Sequence, residues 1–94
     1  MLEPPIQFTF SEDFTKEYQD LPQNIKSGVL EALKKFKENP RAKSLRLHRL
    51  SAIKPPVWKI DVFADRSWQI SMRIQGSECA LLPVATHKVM DRTY

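Results

Sequence analysis

Cysteine is nearly absent: Cys79 is the only one in 94 residues. One thiol excludes an internal disulfide framework and a thiolate metal cluster. It falls in the apolar run Cys79-Ala80-Leu81-Leu82 and reads as a small buried hydrophobe. Histidine is almost as scarce. His48 and His87 stand far apart, and the carboxylates are scattered, so no metal-ligand spacing emerges and neither metal nor cofactor is expected. No apolar run approaches the length of a bilayer span, and no charged-then-apolar leader pattern opens the chain. The expected setting is the cytoplasm. There are no repeats and no low-complexity tracts, and the length suits one domain, 1–94, with one modest core.

What is plentiful is positive charge, and it is unevenly placed. Residues 1–40 hold five Lys against seven Asp and Glu, a net of −2, whereas residues 41–94 hold ten Lys and Arg against four, a net of +6. A basic second half fits a phosphate-binding face, although excess charge also serves solubility.

The apolar pattern changes period once. Ile6 to Phe10 alternates as a half-buried strand does. Ser11 is placed to cap a helix, with Glu12 and Asp13 favourable in its first turn and Phe14, Tyr18 and Leu21 along one stripe. Pro22 breaks that helix and can open a second, whose apolar face is Ile25, Val29, Ala32, Leu33 and Phe36. Asn39-Pro40 stops it. Beyond residue 40 the period becomes two. Strands are expected over 45–48, 57–62, 68–74 and 79–84, separated by a loop at 51–56 and turns at 64–67 and 75–77. Pro83 cannot donate to a ladder, so a bulge or a strand end is expected there. The order predicts a two-layer α+β fold: an N-terminal strand, a helix hairpin, then an antiparallel four-strand meander with the hairpin on one face.

Alternation assigns faces. With Leu45, Leu47, Trp58, Ile60, Val62, Ile70, Met72 and Ile74 turned toward the helices, the opposite face gathers Arg46, His48, Lys59, Asp61, Gln69, Ser71 and Arg73. Trp68 shares the inward parity, and both tryptophans read as core. His87, Lys88, Arg92 and Tyr94 can close one end of the polar face.

In this order and length the pieces resemble the RelE/ParE toxin superfamily. The matching features are a helix carrying Phe14 and Tyr18 before Leu21-Pro22, a long helix ending in Asn39-Pro40, and Leu45-Arg46-Leu47-His48-Arg49-Leu50. Val57-Trp58-Lys59-Ile60-Asp61-Val62, a basic hairpin and Val84-Ala85-Thr86-His87-Lys88 follow. The resemblance implies a RelE-like fold and a cognate antitoxin partner. In the RelE-like and HigB-like branches it implies cleavage of messenger RNA on the ribosome. In the ParE branch it implies inhibition of gyrase by binding, without nuclease chemistry.

Metal-free RNA cleavage needs a base for the 2′-hydroxyl, cations around the pentavalent phosphate and an acid for the leaving 5′-oxygen. Histidine titrates near neutrality, so His48 suits either proton-transfer role, or is simply an exposed strand histidine. The resemblance places His87 where relatives carry an active-site His or Arg, and Tyr94 at the position of their C-terminal tyrosine. Lys59 and Arg73 are candidates to stabilise the phosphate. Arg46, Arg49, Lys54, Arg66, Gln69, Lys88 and Arg92 are candidate RNA contacts, against the plainer reading of a solvated polar side chain. One position departs from the family pattern: Gln69 stands where many active relatives place an arginine beside the aromatic residue that opens the third strand. Arg66, in the preceding hairpin, is the residue able to compensate; without it, the reading shifts toward a binding or silent toxin.

Overall fold

The computed structural model describes residues 6–50, 53 and 56–93. β1 (Gln7–Phe10) leads into α1 (Glu12–Gln19) and α2 (Gln23–Glu38); β2 (His48–Leu50), β3 (Val57–Asp61), β4 (Trp68–Gln75) and β5 (Glu78–Thr86) follow, and α3 (His87–Thr93) ends the described chain. The strands form one sheet in the order β1-β5-β4-β3-β2. The last four make the expected antiparallel meander, and β1 lies parallel to β5.

Local chemistry accounts for the helix boundaries. Ser11 Oγ accepts from the Phe14 N–H at 3.0 Å, satisfying one of the donors a helix start leaves open. Pro22 stands at the head of α2, and Asn39 ends it with extended backbone. Asn39 Oδ1 then accepts from the Arg41 N–H at 3.2 Å and shapes the exit. Ile25, Val29, Ala32, Leu33 and Phe36 are buried, as the stripe required. They form one cluster with Ile60, Ile70, Met72, Cys79, Leu81 and Val84 of the sheet, against which both tryptophans pack half-buried. Gly28 has a packing reason: a Cβ there would collide with the Phe63 ring and come within 3.2 Å of Val62 Cγ1.

β4 and β5 are joined through Gly76-Ser77, with Gly76 at φ +62°, a conformation that costs glycine nothing. Further along, Ile70 pairs with Val84 but Met72 with Leu81, so β5 carries one extra residue at Leu82-Pro83. This is the bulge that Pro83 demanded.

Two expectations need correction. The alternation of Leu45-Arg46-Leu47-His48 is not a strand throughout. Lys43–Leu45 is a 3-10 turn closed by Leu45 N–H to Ala42 O (3.1 Å) and Arg46 N–H to Lys43 O (3.2 Å). Arg46 takes a left-handed conformation at φ 51°, and pairing starts only at His48. Leu45 is buried by the turn, so its apolar character imitated strand parity. The second correction is α3, a helix after β5 where no helix was expected. Among the described residues no helix is long and apolar enough to cross a membrane.

Candidate functional site

The pleat sorts β3 and β4 as the alternation predicts. Trp58 lies opposite Met72 and Ile60 opposite Ile70, on the side of the hairpin. On the other side Lys59 lies opposite Ser71, and Asp61 opposite Gln69. His48 pairs with Lys59 from β2, so His48, Lys59 and Ser71 form one row across three strands. Asp61, Gln69 and Ala85 form the next.

This polar face is not a solvated one. Lys59 is 6% exposed, Asp61 and Gln69 2% and Ser71 0%. Val57, of the same parity, and Met90 of α3 are also buried, yet belong to no part of the hairpin-side cluster. Since α3 packs against β4 and β5, it covers this second face.

A buried carboxylate is costly unless charge and hydrogen bonds compensate it. Asp61 has both in part. Gln69 Nε2 donates to Asp61 Oδ1 at 2.9 Å, and Arg46 Nε lies 3.4 Å from Oδ2 with its side chain half exposed. Among the described residues, Asp61 Oδ2 and Gln69 Oε1 have no hydrogen-bond donor. The glutamine amide is therefore committed to a neighbouring carboxylate. The cation beside Asp61 comes from Arg46, which the left-handed turn brings in from the chain before β2. Sequence parity put Asp61 on this face; its position at the centre of a network was not foreseen, because the partner reaching it lies outside any strand.

His48 is exposed, and its Nδ1 lies 2.8 Å from the Arg46 carbonyl oxygen. A carbonyl only accepts, so Nδ1 is the donor in this contact and Nε2 takes no part in it. His87 begins α3, and its backbone N–H donates to Ser67 O at 3.0 Å. This tie sets the start of α3 beside the β3–β4 hairpin, where Arg66 is exposed at φ 63°. In the same hairpin Asp65 accepts from both Ser67 N–H (2.9 Å) and Ser67 Oγ (2.7 Å), and these bonds hold its carboxyl below the usual range.

The candidates thus divide. Arg46, His48, Lys59 and Gln69 lie together on adjoining rows, with Arg66 and His87 at the end of the sheet that holds Asp61. Arg73 is exposed further along β4, opposite Ala80. Lys88 and Arg92 are exposed on α3. Arg49 lies apart: it pairs with Trp58, on the hairpin side, and its guanidinium sits 6.0 Å from the indole centroid. Lys54 and Tyr94 lie outside the described residues. Among those described, no group of three or more His, Cys, Asp or Glu is placed to hold a metal ion.

The fold is that of RelE. The chain superposes on a chain of an archaeal RelE–RelB complex from Pyrococcus horikoshii with a TM-score of 0.69 at 10% identity, covering 87% of this chain and 94% of that one. Isolated RelE toxin from E. coli gives 0.66 at 15% identity, over 95% and 99% of the two chains. The RelB–RelE antitoxin–toxin complex from Methanococcus jannaschii gives 0.60 at 18%, over 90% and 96%. No family model and no curated protein matches by sequence.

Proposed function

We propose that this chain is the toxin half of a toxin–antitoxin pair, a cytoplasmic endoribonuclease that cuts messenger RNA on the ribosome without a metal. The observation that carries the reading is the row His48–Lys59 on the covered face, with His48 Nδ1 engaged by the Arg46 carbonyl and Nε2 outside that contact. His48 on β2 and His87 at the end of β5 are the candidate proton-transfer groups, three strands apart. The one beside the scissile phosphate takes the 2′-hydroxyl proton as that oxygen attacks phosphorus, and water protonates the departing 5′-oxygen, leaving a cyclic phosphate. Lys59 and Arg73, from neighbouring rows of the sheet, supply positive charge near the phosphate, Arg66 meets the RNA at the other end of β4, and Tyr94 is a candidate to stack or assist. Arg46, Lys88 and Arg92 hold the RNA backbone, with Arg49 contributing from the hairpin side, and Lys54 is a further candidate contact on its sequence alone.

Two of the RelE structures that this chain resembles are complexes with RelB, which supports an antitoxin partner here. An apolar cleft of about 420 Å³ between β1 and the helix hairpin, with Phe10 and Leu30 each 57% exposed and Lys34 and Lys37 at its rim, suits an antitoxin helix or extended arm.

The commitment of Gln69 to Asp61 favours a second reading, a toxin that binds a protein target as ParE-like toxins do or has lost catalysis. Inducible expression of the chain alone, with primer extension on a reporter message, decides between them. Growth arrest with new message breaks, both lost in His87→Ala and His48→Ala, is the expected result. Arrest without breaks would transfer the proposal to the binding reading, and soluble protein with neither effect would remove toxicity altogether.

A further inference from the structure

One groove among the described residues lies outside the polar face. It has a volume of about 650 Å³ and runs between the segment after α2, the start of β2 and the β4–β5 turn. Its floor is apolar: Leu47, Trp58 and Ile74, each half-buried. Its rim is cationic. Arg41 and Lys43 are exposed, and Arg46 keeps half of its side-chain surface. Asn39 fixes the first of these through the Arg41 N–H, and the 3-10 turn fixes the other two, so the charges are carried on ordered backbone. Arg49 lies over the Trp58 ring and restrains the indole from the side of β2.

Arg46 belongs to two places at once. It lines this groove, and its Nε reaches Asp61 within the network of the polar face. A left-handed residue at the turn into β2 makes that double reach possible, because the chain reverses there instead of continuing as strand. The groove is thus continuous with the candidate cleavage face through one guanidinium.

We infer that the groove is a nucleotide subsite for single-stranded RNA: an unpaired base lies against Trp58, Leu47 and Ile74 while its flanking phosphates meet Arg41 and Lys43, next to the phosphate path marked by Arg46. The chemistry favours this occupant. An aromatic platform with cations at its edge is how single strands are held without sequence readout, since every base offers a π-face and every nucleotide a phosphate. The groove lies in the half of the chain that carries the excess of positive charge. The inference deepens the RNA reading of the preceding subsection and rests on it, but it concerns binding and does not require that the chain cut.

The test is fluorescence anisotropy of a 5′-fluorescein, 2′-O-methyl RNA octamer, which cannot be cleaved through its 2′ position, titrated with the purified full chain across a salt series. Arg41→Ala/Lys43→Ala removes two exposed side chains, and its circular dichroism is compared with that of the parent chain. It is expected to weaken binding about tenfold, and to reduce the slope of log K against log salt by about 1.4, some 0.7 per phosphate contact on a single strand. Trp58→Leu should lose a comparable factor, while Trp58→Phe retains most of the affinity because a ring remains. Unchanged affinity and salt slope in the double variant would overturn the subsite, and that is the result expected if the groove instead receives an acidic protein segment. Absence of any octamer binding by the parent chain would overturn it as well. Octamer binding that depends on Arg41 and Lys43, in a chain that produces no message breaks, would uphold the subsite while the nuclease reading fails.

Discussion

On the hairpin side of the sheet, Ile60, Ile70 and Met72 lose all exposure by joining one apolar cluster with Val29, Leu33 and Phe36 of α2. On the other side Asp61, Gln69 and Ser71 are buried to nearly the same degree, but with a charge and several lone pairs to satisfy. The first side gains from every methylene removed from water. The second must recover what desolvation costs, and two acceptor oxygens there lack donors among the described residues. Equal burial therefore does not mean equal contribution. One side holds the chain together, and the other preserves a polar arrangement that an apolar face would not need.

The comparison can be broken most directly by truncating one residue on each side. Phe36→Ala removes a fully buried ring from the hairpin side and is expected to cost about 3–5 kcal/mol in urea unfolding. Asp61→Ala leaves Gln69 and Arg46 without their shared acceptor and should cost about 2 kcal/mol, the scale of an uncompensated buried polar group. Replacing both members, Asp61→Leu with Gln69→Leu, should recover most of that loss, since apolar pairs of similar shape are close to neutral against a buried polar pair. A double variant as unstable as Asp61→Ala would mean that the network contributes stability of its own.

Smaller effects sharpen the account of the hairpin side. Alanine is the better helix former, yet Gly28→Ala should destabilise by about 1 kcal/mol, because the Phe63 ring must give way. A gain in melting temperature would show that the ring moves freely. Finally, burial pushes the Cys79 thiol up from its ordinary 9 to about 11. The folded chain keeps the proton that the unfolded chain releases, so this contribution to stability is complete below pH 9 and fades as pH rises from 9 toward 11. Native protein at pH 8 should react with an aromatic disulfide reagent only on unfolding.

The two sides also differ in how far they were readable. A stripe at 25, 29, 32, 33 and 36 has one physical use, and the structure uses it so. Alternation likewise separated Trp58 and Ile60 from Lys59 and Asp61, because the pleat enforces that rule strand by strand. What covers the polar face was not legible. α3 offers Val89 and Met90 as its only apolar residues, too few for a helical stripe, and only one of them is buried. Nor did the strand-like spelling around Arg46 reveal a left-handed turn, since the turn is set by backbone hydrogen bonds from Leu45 and Arg46 to the carbonyls of Ala42 and Lys43. The pairing of Arg46 with Asp61 follows from that turn and was hidden with it.

One arrangement bears on how the molecule comes into being. β1, at the head of the chain, docks in parallel against β5, about 70 residues later, and β5 also pairs with β4. During synthesis the opening strand therefore waits, its Phe8 and Phe10 uncovered, until almost all of the described chain has emerged. The loop that must close is long, its entropic cost falls before any pairing rewards it, and acquisition of the native state is expected to be slow for a chain of this size. Throughout that interval the unpaired strand is the segment most open to a companion chain, so a binding partner made at the same time would act first on an unfinished sheet.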